Sequence, residues 1–80
     1  RNKFFENFKI KFDIIFLDPP YKHKDLEIIL LKIKTCKLLN SNGIIILHRH
    51  KNQKDKFSPE FKIIEEKKYG ISKIIFGKFN

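Results

Sequence analysis

Four consecutive residues, Asp18-Pro19-Pro20-Tyr21, carry the groups in this sequence that are best suited to chemistry. They follow directly on an apolar run, Ile10–Leu17. A residue that precedes proline is restricted to extended conformations, and proline fixes its own φ, so we expect a stiff loop. The loop presents carbonyl oxygens, a carboxylate and an aromatic ring together.

This set of groups suits a flat ring that carries an exocyclic amine. The lone pair of such an amine is delocalised into the ring, so its nitrogen is a poor nucleophile. The Asp18 carboxylate and a prolyl carbonyl can accept its two N–H bonds and expose that lone pair, while Tyr21 stacks on the base. The electrophile would be a sulfonium methyl group, with positioning and electrostatics supplying most of the rate. The alternative is a structural turn with a capping Asp18 and a packing Tyr21.

Strands and a helix must position this loop. Ile10–Leu17 is predicted to be a strand that stops at the prolines, and its almost continuous apolar character is typical of a central strand in a parallel sheet. Asp25 is predicted to cap a helix that ends near Leu38 or Leu39, because Asn40-Ser41-Asn42-Gly43 is a strong stop signal. One face of that helix carries Leu26, Ile29, Leu30 and Ile33.

The second half of the chain is predicted to be mostly strand. Ile44–Leu47 completes a strand–helix–strand unit with parallel strands, and His48–Ser58 is predicted to be a loop. Phe61–Lys68 and Ser72–Phe79 are predicted to form a hairpin. Ligands bind at the carboxyl ends of strands in such sheets, which is where the loop after the first strand lies. One helix covers only one face, so the pattern indicates half of a doubly wound sheet.

The length and composition limit the classes of protein to which this chain can belong. Eighty residues suit one small domain, and a hydrophobic content of 41% excludes a disordered tail. No apolar run is long enough to cross a bilayer, and Arg1–Phe8 lacks the pattern of a signal peptide. Cys36 is the only cysteine, so we expect a cytoplasmic protein. The chain starts at Arg1 and has no Met, which indicates part of a longer protein or a shortened gene.

A net charge of +9 favours a polyanionic partner such as nucleic acid. The alternative is an AT-rich genome, which enriches Lys, Ile, Phe and Asn. Phosphate contacts are predicted first beside the loop and then after the second strand, from Lys22, His23, Lys24, Arg49, Lys51 and Lys54. The alternative at both places is a solvated basic surface.

His48 and His50 are spaced to share one face of a strand, and His23 is a third imidazole. No cysteine or carboxylate accompanies them at ligand spacing, so we predict a solvated strand end and no metal site.

The segment FDIIFLDPPY resembles motif IV of the S-adenosylmethionine-dependent methyltransferases that act on amino groups. More closely, the chain resembles the RsmD family, which methylates the N2 amine of a guanine in small-subunit ribosomal RNA. The similarity includes the Leu-rich helix, the strand that begins at Asn42-Gly43, and Tyr69-Gly70-Ile71-Ser72.

This resemblance implies the C-terminal half of a Rossmann-like class I methyltransferase, with the last strand inserted antiparallel beside the Ile44 strand. It implies catalytic and base-binding roles for Asp18, Pro19, Pro20 and Tyr21, with Asp18 and Pro19 also touching S-adenosylmethionine. The family's glycine-rich cofactor loop lies upstream of the position of Arg1. The family usually carries a Glu where this sequence reads Leu47-His48-Arg49-His50.

We therefore predict part of an RNA guanine-N2 methyltransferase that is monomeric at full length, does not bind membranes and has ribosomal RNA or an assembling subunit as its partner. The 80-residue chain alone is predicted to be inactive. One alternative is a DNA adenine-N6 methyltransferase, because both substrates present an exocyclic amine. The other is a basic remnant that binds RNA without catalysis.

Overall fold

The computed structural model describes residues 10–19 and 25–79. Its elements are, in chain order, β1 (Phe12–Leu17), α1 (Asp25–Thr35), β2 (Leu39–His50), β3 (Phe61–Tyr69) and β4 (Ser72–Phe79). The four strands form one sheet in the order β1-β2-β4-β3. Within the described ranges, no helix is long and apolar enough to span a membrane.

The sheet has the predicted mixture of parallel and antiparallel pairs. β1 and β2 are parallel, with Leu17 opposite Leu47. β4 lies antiparallel between β2 and β3, as the resemblance implied. The predicted hairpin is therefore confirmed. Gly70 provides its turn with a φ of 55°, a conformation in which a Cβ would be strained.

The helix begins as predicted but ends earlier. Lys37 takes the left-handed conformation with a φ of 54°, and the Leu38 N–H donates to the Ile33 carbonyl at 3.0 Å. The Lys37 N–H donates to the Lys34 carbonyl at 3.1 Å, which completes a Schellman motif after Thr35. Leu38 is partly buried and packs against the hydrophobic cluster to which Ile33 belongs.

The predicted stop signal lies inside a strand instead. β2 already begins at Leu39, and the register jumps from Phe12 opposite Leu39 to Ile14 opposite Ile44. The residues between Leu39 and Ile44 thus form an irregularity in β2. The Asn40 amide donates to the Asp13 carboxylate at 2.6 Å, so a side-chain bond holds this irregularity against β1.

The core lies between α1 and one face of the sheet. Ile45 and Leu47 of β2 are completely buried, and each contributes about 1.5–3 kcal/mol by leaving water. The rest of the buried cluster is Leu26, Leu30, Ile33, Phe61 and Ile75. The predicted helix face is confirmed, with Ile29 partly buried beside it.

The opposite face of β1 is exposed. Ile14 and Phe16 are 63% and 60% exposed, and Phe12 is 49% exposed. β1 is an edge strand of the described sheet, which differs from the prediction of a central strand covered on both sides. The apolar sequence of β1 predicts a strand on each side of it and packing on both of its faces. Among the described residues, β1 has a neighbouring strand on one side only, and one of its faces is exposed.

Candidate functional site

The candidate site lies where β1 and β2 end. Because these strands are parallel, their carboxyl ends meet at one edge of the sheet, and Asp18 and Pro19 follow β1 there. β2 continues to His50, so the predicted loop from His48 to Ser58 was wrong in its first three residues. Those three residues pair with β4 instead, so β2 and β4 extend beyond the end of β1.

Successive side chains of a strand point to opposite faces. His48 lies on the face that carries Ile44 and Ile46, whereas Arg49 lies on the helix-side face with Ile45 and Leu47. Two neighbouring residues of β2 therefore reach the loop after β1 from opposite sides of the sheet.

His48 contacts the carboxylate of the predicted motif. Its Nδ1 lies 3.1 Å from Oδ1 of Asp18, and its Nε2 lies 3.0 Å from the Ser72 hydroxyl. An ionised carboxylate only accepts, so Nδ1 carries the hydrogen, and in the neutral imidazole Nε2 accepts from Ser72. The prediction of a merely solvated strand end missed this contact. Ser72 had no assigned role in the sequence, and it reaches His48 from β4, the strand beside β2.

Arg49 contacts the backbone of the same motif. Its guanidinium NH1 donates to the Pro19 carbonyl at 3.1 Å. Nε and NH2 each donate to one carboxylate oxygen of Asp55 at 2.9 Å. The Arg49 side chain is 1% exposed and that of Asp55 is 10% exposed. A guanidinium in this interior position corrects the prediction of a phosphate contact, because a surface phosphate does not reach a buried side chain.

Asp55 comes from the segment between β2 and β3, which folds back over this edge. The Gln53 N–H donates to the His50 carbonyl at 2.9 Å, and Lys73 Nζ donates to the Gln53 carbonyl at 2.6 Å. These bonds hold the segment in place. The sequence analysis did not identify Asp55 as a partner of Arg49. The two residues are six positions apart, and no local sequence pattern marks Asp55.

The other predicted residues have different outcomes. Lys51 is exposed just past the end of β2, so its predicted phosphate contact stays a prediction. Pro20, Tyr21, Lys22, His23 and Lys24, for which catalytic or base and phosphate contacts are predicted, lie outside the described residues. His50 Nδ1 accepts from the Asn52 N–H at 3.1 Å. Among residues 10–19 and 25–79, His, Cys, Asp and Glu side chains form no group of three that could hold a metal.

The edge offers hydrogen-bond acceptors to a ligand. The Asp18 side chain is 60% exposed, so part of its carboxylate faces solvent although His48 contacts one oxygen. Pro19 itself is buried, and one of the two lone pairs of its carbonyl oxygen accepts from the buried Arg49, so the second lone pair is the acceptor left for a ligand. A carboxylate and a carbonyl at adjacent positions match the two N–H groups of an amine.

The residues present fit only one side of an S-adenosylmethionine site. Gly43 and Gly77 lie inside β2 and β4, and Gly70 forms the hairpin turn. None of these glycines stands between a strand and a helix, the place where a glycine-rich loop holds a nucleotide. Among the described residues, the end of β1 is therefore the place where the resemblance implies a contact with the cofactor.

Comparisons with known proteins agree with this fold. A solved structure of a candidate methylase from Haemophilus influenzae (HI0767) is 22% identical, with a TM-score of 0.67 over 94% of this chain and 48% of that one. A candidate methyltransferase from Escherichia coli (yhhF) is 18% identical, with a TM-score of 0.69 over 94% of this chain and 45% of that one. At these identities, the two structures establish the fold.

A conserved hypothetical protein from Streptococcus pyogenes is 29% identical, with a TM-score of 0.71 over 85% of this chain and 43% of that one. The chain thus spans about half the length of the solved structures that it matches. No curated protein sequence matches it. The family model described as Conserved hypothetical protein 95 matches residues 2–78. Because that match extends over nearly the whole sequence, the chain belongs to this family, which is the RsmD family that its motifs resemble.

Proposed function

We propose that this chain is the substrate-side half of an S-adenosylmethionine-dependent methyltransferase that acts on the exocyclic N2 amine of a guanine in small-subunit ribosomal RNA. The observation that carries the proposal is the pair of acceptors after β1. The Asp18 carboxylate and the Pro19 carbonyl follow one another at the carboxyl edge, and neighbouring residues of β2 hold them.

In this reaction the chain's residues bind and orient the amine. Asp18 accepts one N–H and Pro19 accepts the other, so the nitrogen lone pair turns away from the ring and toward the methyl donor. When bound, S-adenosylmethionine supplies a methyl group on a positively charged sulfur. As the new N–C bond forms, the bond between the methyl group and the sulfur would break and the sulfur would leave as a neutral thioether. The amine loses one proton, and the Asp18 carboxylate is placed to take it. Rate enhancement comes mainly from holding the nitrogen in line.

Membership of the family and the net charge of +9 support an RNA substrate. In this proposal the protein works in the cytoplasm, on ribosomal RNA or an assembling subunit, and residues outside this chain complete the cofactor site. The second candidate is methylation of the N6 amine of adenine in DNA. The two acceptors favour it equally, because adenine N6 is also an exocyclic amine.

The test is transfer of labelled methyl groups from S-adenosylmethionine by the full-length protein. Small-subunit RNA and adenine-containing DNA are offered separately, and the product is digested and identified as the modified nucleoside. We expect N2-methylguanosine from the RNA. N6-methyladenine from the DNA would establish the second candidate instead. If neither polymer is labelled, the chain is not part of an amine methyltransferase.

A matched pair of variants assigns the chemistry to the site. Asp18→Ala should lower kcat by about 100-fold or more, because it removes a preorganised acceptor from the reacting nitrogen. Asp13→Ala is the control, since Asp13 lies on β1, the strand that leads to Asp18, and bonds only Asn40 among the contacts of the described residues. Salt-sensitive RNA binding that is unchanged by Asp18→Ala, without methyl transfer, would mark a non-catalytic RNA-binding module.

A further inference from the structure

Arg49 is a charged side chain in the interior of the described fold. It is 1% exposed, and its carboxylate partner Asp55 is 10% exposed. Removing two charges from water is costly, and replacing a buried ion pair by apolar residues is often neutral or stabilising. The ion pair is therefore not explained by stability alone, and the contact of the guanidinium with the loop after β1 becomes the informative one.

That contact is the hydrogen bond from NH1 to the Pro19 carbonyl at 3.1 Å. The guanidinium is planar, and its Nε and NH2 are both committed to Asp55 at 2.9 Å. Because this bidentate pair fixes the plane of the group, the direction of NH1 is fixed as well. Asp55 thus determines, through Arg49, where the Pro19 carbonyl is held relative to β2.

We propose that Arg49, oriented by Asp55, is a positioning residue that aims the Pro19 carbonyl at the target amine. This inference rests on the proposed function, in which that carbonyl accepts one N–H of the amine. A carbonyl oxygen has two lone pairs, so it accepts from Arg49 and from the amine together. Arg49 acts from the helix-side face while His48 holds Asp18 from the other face, so each acceptor has its own support.

The decisive variant is the double substitution Arg49→Met with Asp55→Leu in the full-length protein. It removes both charges at once, so no unpaired charge is left buried, yet Pro19 loses its donor. We expect kcat to fall by about 100-fold, since a small misplacement of a positioned group has an effect of that order. The KM values for S-adenosylmethionine and RNA should stay close to those of the wild type, because the Arg49 side chain is only 1% exposed.

Arg49→Lys is the second variant, which keeps a positive charge opposite Asp55. An ammonium lacks the planar fork, so it does not fix a direction toward Pro19, and kcat should again fall. The control is Lys34→Met with Glu60→Leu, which removes an exposed ion pair between α1 and the segment before β3. An unchanged kcat in both Arg49 variants, or an equal loss in the control, would overturn the proposal.

A spectroscopic measurement separates this inference from the proposed function. The carbonyl carbon of Pro19 is labelled with ¹³C, and its resonance is compared between the wild type and the Arg49 variants. Loss of a hydrogen bond should move the resonance upfield in both variants and not in the control. If the wild type shows this bond but transfers no methyl group to RNA or DNA, the proposed function fails while the Arg49 contact stands. If the resonance does not move, the positioning role is refuted whatever the activity.

Discussion

Nδ1 of His48 lies 3.1 Å from Oδ1 of Asp18, although the two residues are 30 positions apart in the chain. The contact exists because β1 and β2 are parallel and in register, with Leu17 opposite Leu47. Asp18, which follows Leu17, therefore lies beside His48, which follows Leu47, at the edge of the sheet. The predicted catalytic carboxylate is thus contacted by an imidazole, in the segment where the family resemblance led us to expect a Glu.

His48→Ala should lower the kcat of the full-length protein by about tenfold, because Asp18 loses the donor that orients its carboxylate. Ser72→Ala should lower kcat less, since Ser72 acts on His48 and not on Asp18 directly. His50→Gln is the control, because it changes the same residue type two positions along β2 and should leave kcat unchanged. Equal kcat values for His48→Ala and the wild type would show that this contact does not serve the reaction.

Asp55→Ala should destabilise the fold by about 3–5 kcal/mol, because it leaves the Arg49 guanidinium buried without its carboxylate. Urea denaturation followed by circular dichroism measures the change. Glu65→Ala provides the comparison, since the Glu65–Lys67 pair is about half exposed with its charged atoms 3.8 Å apart. An exposed pair of this kind contributes about 0–1 kcal/mol. Similar losses for the two variants would contradict the importance of the buried pair.

Lys37→Gly should stabilise the protein by about 1 kcal/mol, because an L-residue in the left-handed conformation is strained by that order. Lys37 has a φ of 54° at the end of α1. Gly70→Ala is the reciprocal change at a φ of 55°, where a Cβ would have no heavy atom within 4 Å. It should destabilise by a similar amount, for conformational reasons alone. Thermal melts of both variants measure the two changes, and we expect Tm to rise in Lys37→Gly and to fall in Gly70→Ala. A loss of stability in Lys37→Gly would refute the prediction.

Lys51→Gln should weaken RNA binding at low salt and reduce the slope of log K against log salt concentration by about one, the value for a single phosphate contact. Lys51 is exposed at the edge that carries Asp18. Lys32→Gln changes an equal charge on α1 and should leave the slope as it is. Fluorescence anisotropy at several salt concentrations gives both slopes. An unchanged slope for Lys51→Gln would leave Lys51 as a solvated surface residue.

Local patterns were enough to predict much of the fold. The spacing of Leu26, Leu30 and Ile33 predicted the buried helix face, and Tyr69-Gly70 predicted the hairpin turn. These features depend on side chains that are close in sequence, so periodicity reports them directly. The loop at Asp18-Pro19 was also predicted at the end of a strand, since proline lacks the N–H that a strand ladder needs.

Pairing between strands overruled one local signal. Asn40-Ser41-Asn42-Gly43 has the composition of a helix stop, yet β2 runs through it. The Phe12 N–H donates to the Leu38 carbonyl at 2.7 Å, and Asn40 bonds Asp13, so contacts with β1 hold this segment. A tertiary contact of this kind leaves no trace in the local propensity of the segment.

The sequence by itself determined the order of the elements, the family and the motif Asp18-Pro19. Only the tertiary structure decided what supports that motif. Whether His48 or Arg49 faces the helix depends on strand register, because a shift of one residue exchanges the two faces of a strand. That register brings Ser72 to His48 on one face, and the return of the segment after β2 brings Asp55 to Arg49 on the other.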